Sequence, residues 1–267
     1  MHPMLNIAIR AARSAGTIIA RSCEQLDIVK STEKSSNDFV TNIDQEAEQL
    51  IVQTLRKSFP GHSIIGEEHG NYGSQDSDYQ WIIDPLDGTS NFIRGIPHIA
   101  VSIALKAQGK LDQAVVYDPL RGELFTASRG RGAQLNGRRI RVGNRPDLTG
   151  AMLATGFPFK QKQHLNTYSA IFNSLFPAVA DMRRAGSAAL DLAYVAAGRI
   201  DGFWEMGLKP WDTAAGELLV REAGGMVTDF AGGNNHMKSG NIVAASPKVL
   251  QGMLKNMRPH LTDDFMR

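Results

Sequence analysis

Trp81-Ile82-Ile83-Asp84-Pro85-Leu86-Asp87-Gly88-Thr89-Ser90-Asn91-Phe92 runs an apolar strand directly into two carboxylates, a glycine and a hydroxyl. Read plainly, Asp84-Pro85 opens a turn and Gly88 takes the left-handed backbone a turn needs, since Asp, Pro and Gly are ordinary punctuation after a strand. A second reading is chemical. Two acids three residues apart, with Pro85 stiffening the chain between them, aim both carboxylates at one point, which suits a hard divalent cation such as Mg²⁺. Gly88 and Thr89 then offer unencumbered backbone N–H groups, which hold a phosphate best where a helix begins.

A phosphate clamped between divalent cations needs more negative charge than two aspartates carry. His62-Ser63-Ile64-Ile65-Gly66-Glu67-Glu68-His69-Gly70 reads as a short apolar strand that also ends in acids, and Trp211-Asp212-Thr213-Ala214-Ala215-Gly216-Glu217 sets an aspartate at a helix start. Taken singly, Glu67 or Glu68 is equally a solvated strand end, and Asp212 an ordinary first-turn acid favoured by the helix dipole.

With 267 residues, 42% of them apolar, the chain is long enough to bury a substantial core as one continuous unit. A formal charge of +2 and the lack of a Lys/Arg run argue against direct binding of nucleic acid. The most basic stretch, Arg129 to Arg145, reads as a solvated loop around an Asn136-Gly137 turn. Cys23 is the single cysteine, which excludes an intramolecular disulfide and a CxxC pair and suits a reducing cytoplasm. No segment approaches the ~20 apolar residues of a membrane span, and the amino terminus, with Arg10 and Arg13 in an amphipathic pattern, does not read as a signal peptide. The seven histidines form neither HxxxH nor HExxH, so a zinc site is not expected.

Helical spacing recurs at Leu5, Ala8, Ala12, Ala15 and Ile19, and again at Ala47, Leu50, Ile51 and Leu55. Between them, Lys30 to Asp38 is polar and reads as a mobile loop or a hairpin. Ile99, Val101, Ile103 and Leu105 alternate as a strand, followed by strands at Ala114–Tyr117 and Leu124–Ala127, a meander. Farther on, the pattern predicts strands at Met152–Thr155, Gly202–Trp204, Met226–Thr228 and Ile242–Ala244. Helices are predicted at Leu165–Leu175, Ala188–Ala197, Asp212–Glu222 and Lys248–Met257. The alternation of helix and strand implies a layered α/β fold.

Four segments taken together are more specific than any one of them: Gly66-Glu67-Glu68, Trp81 to Phe92, Gly186-Ser187-Ala188-Ala189, and Trp211-Asp212 followed by Glu222-Ala223-Gly224-Gly225. Almost end to end, the chain resembles the inositol monophosphatase family of the lithium-sensitive sugar phosphatase superfamily. Pro3 to Ala8, Ala154 to Phe159 and Leu190 to Gly198 resemble its bacterial branch. The resemblance implies a five-layered αβαβα sandwich forming a single catalytic domain over 1–267, with a metal-binding half at about 1–145 and a substrate half at about 146–267. It implies two or three Mg²⁺ ions, held by Glu67, Asp84, the Leu86 carbonyl, Asp87 and Asp212, with Li⁺ as an inhibitor. Glu67 and Thr89 are expected to orient the attacking water, Asp44 to support Thr89, and Lys34 to reach toward a third metal. Asp87, Gly88, Thr89, Gly186, Ser187, Ala188, Glu205 and Asp212 are expected to bind substrate.

Some of these residues keep a second reading. Asp44 also suits the start of a helix, Gly186 a helix entry with Ser187 as its cap, and Glu205 a surface acid beside an aromatic pair. Trp81 and Trp211 are expected to pack beneath the ligand acids; Arg183 and Arg184 suit substrate phosphate, an interfacial salt bridge or surface cover, of which an interface is the favoured reading. The chain departs from the family at Ser90, a position often threonine, and in a loop at Lys34 one residue shorter than in animal members. The implied reaction is hydrolysis of inositol 1-phosphate or a related polyol phosphate by direct attack of water. Neighbouring branches take bisphosphate nucleotides, fructose bisphosphate or histidinol phosphate. The family also implies a homodimer, and its bacterial branch an association with Nus-class transcription factors and RNA polymerase in antitermination.

Overall fold

Alternation along the central strands sets the layering. On Tyr79–Asp87 and its neighbour Ala100–Ala107, the side chains of Trp81, Ile83, Val101, Ile103 and Leu105 enter one core, while Ile82, Ala100 and Ala104 enter another. Successive side chains of a strand point to opposite faces, so this sheet is apolar on both sides and each side requires its own cover of helices. The structure, a computed structural model, describes residues 2–25, 29, 31–35, 38–74 and 77–265.

In chain order the helices are α1 (Pro3–Cys23), α2 (Asn42–Ser58), α3 (Thr89–Ile93), α4 (Leu165–Leu175), α5 (Ala188–Ala196), α6 (Pro210–Glu222), α7 (His236–Ser239) and α8 (Pro247–Met257). The strands begin with β1 (Ser31–Ser35), β2 (Asp38–Thr41), β3 (Ser63–Gly66), β4 (Gly70–Tyr72), β5 (Tyr79–Asp87), β6 (Ala100–Ala107), β7 (Lys110–Asp118) and β8 (Glu123–Ser128). They continue with β9 (Gly132–Leu135), β10 (Arg138–Arg139), β11 (Met152–Thr155), β12 (Asp181–Arg183), β13 (Gly202–Glu205), β14 (Met226–Thr228) and β15 (Ile242–Ala245).

One sheet has eight strands in the order β10-β9-β8-β7-β6-β5-β3-β4, and a second has five in the order β12-β11-β13-β15-β14. From β5 to β10 the larger sheet is an antiparallel meander, while β3 runs parallel to β5. α1 and α2 pack on its outer face. α5 and α6 lie between the two sheets, touching β7 on one side and strands of the smaller sheet on the other. α4 and α8 close the far face over Leu153, Trp204 and Val243. The result is the αβαβα sandwich that the resemblance implies.

Two glycines show how tightly the layers meet. A Cβ on Gly216 of α6 would lie 2.5 Å from the Leu192 side chain of α5, so only glycine lets these helices approach as they do. Gly66 plays the same part at the end of β3, where a Cβ would lie 2.5 Å from the Glu48 carboxyl carbon. β1 and β2 pair antiparallel, the hairpin alternative for 30–38. The side chain of Lys34, and with it the expected reach toward a third metal, lies outside the described residues. Among the described residues, no helix is long and apolar enough to cross a membrane.

Candidate active site

An odd spacing should send two strand residues to opposite faces, yet Asp84 and Asp87 line the same pocket. The pairing of β5 with β6 explains this. Asp84 pairs with Ser102 and Asp87 with Ala100, so Pro85 and Leu86 together oppose the single residue Val101. That is a β-bulge, and the residue it inserts restores both acids to the inner face. Pro85, which has no N–H to give to the ladder, sits where the ladder is already broken. The Leu86 side chain is buried in the core beneath α1 and α2, while its backbone turns back to the pocket.

Gly88 follows with φ +98° and starts α3; a Cβ there would meet the carbonyl oxygen of His98 at 3.0 Å. Thr89 Oγ1 stands 3.0 Å from Asp44 Oδ1 and 3.2 Å from the Leu86 carbonyl oxygen, so its one proton has two acceptors in reach. Asn91 Nδ2 donates to the carbonyls of His98 and Ala185 and thereby docks α3 against the segment that carries Gly186. Both readings of Asp44 hold at once. Its Oδ2 accepts from the Thr41 N–H at 2.8 Å and from the Thr41 hydroxyl, completing the α2 capping box, while its Oδ1 faces Thr89. Burial pushes the Asp44 carboxyl upward against these hydrogen bonds.

Glu67 and Glu68 follow the end of β3. The Glu67 N–H bonds to the Ile83 carbonyl, and the Glu67 side chain lines the pocket. Glu48 holds this turn. Fully buried on α2, it accepts from the backbone N–H groups of Glu68 and His69, each at 2.9 Å, and lies 2.9 Å from His69 Nδ1. Glu48 was not legible as a site residue, although a signal exists: it falls one turn after Asp44 among Ile43, Ala47 and Ile51, on the face an amphipathic helix turns inward.

The remaining acids come from the middle layer. Ser187 caps α5 and accepts from the Leu190 N–H, and its hydroxyl donates to Asp87 Oδ2 at 2.6 Å, which also takes the Ala189 N–H at 2.7 Å. Ser187 is therefore both a helix cap and a support for Asp87. Asp212, in the first turn of α6, accepts from the Lys209 N–H at 2.6 Å and also lines the pocket. Trp81 is buried beneath, its indole N–H 3.1 Å from His62 Nδ1, and the Trp211 carbonyl accepts from Ser102.

Electrostatically the acids act as one group. Burial pushes Asp84 well above the usual carboxylate range, and the nearby charges of Glu67, Asp87 and Asp212 add to the shift. Asp87 is raised to about 6, chiefly by burial and against the bonds from Ser187 and Ala189, and Asp212 to about 7, by burial and then by Asp87. The acids do not close into a cage: among the described residues, no three Asp, Glu, His or Cys side chains are drawn close enough together to hold an ion. What they share is one pocket lining and a mutual repulsion. An all-oxygen set of acids, Asp84 buried and the others half-buried, whose charges act on one another suits a hard cation such as Mg²⁺.

Glu205 ends β13 inside the same pocket, with Gly186 and Ala188, and is not the surface acid of its second reading. Burial and the charge of Asp191 push its carboxyl up to about 8. Asp191 is itself buried and lines the pocket, a residue to which sequence reasoning assigned no role. Arg183 and Arg184 stand in different surroundings. Arg183 is exposed and bonded to Asp181. Arg184 instead lines the pocket, its guanidinium 5.4 Å from the Phe157 ring centroid and 5.9 Å from that of Phe159.

Comparison with known proteins agrees with the fold and the motifs. A model of the inositol monophosphatase family matches residues 1–261. Nus factor SuhB of Escherichia coli is 62% identical over 267 residues, covering 100% of both chains. The crystal structure of the extragenic suppressor protein suhB from Bartonella henselae superposes with a TM-score of 0.94 at 42% identity, covering 97% of this chain and 100% of that one. The structure of inositol monophosphatase from Anabaena gives a TM-score of 0.86 at 38% identity, covering 96% and 95%.

Proposed function

Because the chain belongs to the inositol monophosphatase family, we propose that it is a Mg²⁺-dependent phosphatase hydrolysing inositol 1-phosphate and related polyol monophosphates by direct attack of water. One observation carries this reading: Glu67, Asp84, Leu86, Asp87, Thr89 and Asp212, drawn from β5, the end of β3 and the starts of α3 and α6, line a single pocket. Glu67, Asp84, the Leu86 carbonyl, Asp87 and Asp212 would hold two or three Mg²⁺ ions there. Bound Mg²⁺ supplies neutralisation of the phosphate charge and activation of water.

The chain's own residues do the rest. Thr89, with its hydroxyl proton directed to Asp44, presents an oxygen lone pair that accepts from the attacking water, and Glu67 takes that water's second hydrogen bond. The backbone N–H groups of Gly88 and Thr89 face the phosphate, which the left-handed conformation of Gly88 permits. Glu205, Gly186 and Ala188 receive the polyol, while Ser187, buried behind the lining, holds Asp87 in place. In this division of labour the larger sheet and α2 hold cation and phosphate, while the carboxyl-terminal part receives the leaving alcohol, within one catalytic domain. Li⁺ competes at a cation site. We assign the protein to the cytoplasm, as a homodimer.

Turnover of inositol 1-phosphate, adenosine 3′,5′-bisphosphate and fructose 1,6-bisphosphate, compared with Mg²⁺ present, tests the substrate. Inositol 1-phosphate is expected to lead, and the reverse order refutes the assignment. A second reading is supported by the name of the Escherichia coli relative, a Nus factor. Under it the protein also binds Nus-class factors at RNA polymerase. Capture of elongation complexes by wild type and by a folded Asp87→Asn variant separates the two roles, since binding retained without hydrolysis makes them independent.

A further inference from the structure

One acceptor in the pocket has no donor. Asp191 is 2% exposed, sits in the first turn of α5, and its Oδ1 is buried with no hydrogen-bond partner. Buried polar atoms are almost always satisfied, and one left open at the wall of a binding pocket points to a ligand that satisfies it. Glu205 lines the same pocket from β13 and is close enough for the two charges to interact. Its carboxyl lies against Gly156, where a Cβ would stand 2.0 Å from Glu205 Cδ, so the backbone there leaves Glu205 its place in the pocket. Two buried carboxyls from α5 and β13 thus line one pocket, with Arg184 and Lys160 as neighbouring positive charges.

We propose that Asp191 contacts the substrate directly, accepting a hydrogen bond from one hydroxyl of the polyol while Glu205 accepts from its neighbour, and that this pair selects monophosphates with adjacent free hydroxyls over esters that lack them. The inference rests on the phosphatase reading above. A hydroxyl brings the donor that Oδ1 lacks. An ester without hydroxyls brings no donor to this end of the pocket and leaves Oδ1 unpaired. Specificity of this kind comes from the cost of leaving a buried acceptor unpaired, which rejects a ligand lacking the hydroxyl more strongly than shape alone does.

The test compares wild type, Asp191→Ala and Asp191→Asn on two esters with Mg²⁺ present: inositol 1-phosphate, and p-nitrophenyl phosphate, which carries no hydroxyl. Loss of one hydrogen bond to a carboxylate is expected to raise KM for inositol 1-phosphate by about 10-fold in Asp191→Ala. Hydrolysis of p-nitrophenyl phosphate, inhibition by inorganic phosphate and the melting temperature are expected to stay close to wild type. A role in folding alone would move both esters together, and that result, or an unchanged KM for inositol 1-phosphate, overturns the proposal. Asp191→Asn keeps the volume and one oxygen, so should the alanine variant fail to fold, the ratio of the two esters in the asparagine variant decides. Wild type inactive on both esters refutes the phosphatase reading itself, whereas an active wild type with indifferent Asp191 variants refutes this inference alone.

Discussion

Glu205→Gln should make the protein more stable and less selective, by an amount that depends on pH. The Glu205 carboxyl is pushed from 4.5 to about 8, first by burial and then by the charge of Asp191. Between those values the folded protein keeps a proton that the unfolded chain has released, so the native state binds more protons and the free energy of unfolding falls as pH rises. Each pH unit in that window costs about 1.4 kcal/mol, and by pH 7 the accumulated loss from this one group is about 3 kcal/mol. Glutamine does not titrate, so the loss disappears in the variant. Urea unfolding of both proteins with a chelator present, at intervals from pH 4.5 to 8, gives the difference curve. It should start near a constant offset at the acid end and rise in favour of the variant by about 3 kcal/mol at pH 7. Parallel curves across the window would show that the carboxyl ionises in the folded protein much as it does in water, and the account of a desolvated substrate acceptor would fail. The same variant should lose affinity for inositol 1-phosphate, a trade of function for stability common in binding pockets.

Thr89→Ala removes the hydroxyl that links Asp44 to the attacking water and should lower kcat by about 100-fold or more with little change in thermal stability; kcat within a few-fold of wild type would exclude that role. Glu48→Ala leaves the N–H groups of Glu68 and His69 without their acceptor and should cost about 3 kcal/mol in urea unfolding. Because that turn carries Glu67, the same variant should need more Mg²⁺ for half-maximal activity, and an unchanged requirement would make Glu48 purely structural. Mg²⁺ at about 100 times its dissociation constant should stabilise wild type by about 3 kcal/mol. Since burial raises Asp87 to about 6 and Asp212 to about 7, cation binding has to displace protons at lower pH, so the stabilisation should be larger at pH 8 than at pH 5. A shift that is the same at both pH values, or that survives in Asp84→Asn, would remove these acids from the ligand set.

Much of the fold was legible because its elements carry clean periods. The helix at Leu165–Leu175 and the strand at Met152–Thr155 coincide with α4 and β11, and the helix expected at Asp212–Glu222 lies within α6. β10 and β12 escaped notice because they are very short, the first exposed and the second half-buried, with no apolar alternation to betray them. Periodicity tells that a strand has two buried faces but not which helices cover them, so the five layers came from family resemblance rather than from spacing. The contrast of Ala100 and Ala104 with Val101, Ile103 and Leu105 on β6 does hint at it, since small residues face the crowded middle layer.

At the site, the acids at strand and helix ends were legible because charge rarely ends an apolar run without cause. Asp191 and Glu48 were not, because each is a single acid inside a helix whose inward direction depends on tertiary packing. The place of Arg184 at the pocket was not legible for the same reason: it adjoins the exposed Arg183, and only the turn of the chain into α5 separates their surroundings.

The bulge in β5 gives the catalyst a parity. With one residue removed between Asp84 and Asp87, the strand would remain a good strand, yet every position beyond the deletion would change sides, and Asp87 would be driven into the oily layer beneath α1 and α2. Substitutions at this place can therefore be graded, whereas a deletion acts as an on-off matter, and the length of the Pro85-Leu86 step is as much a part of the chemistry as the acids on either side of it.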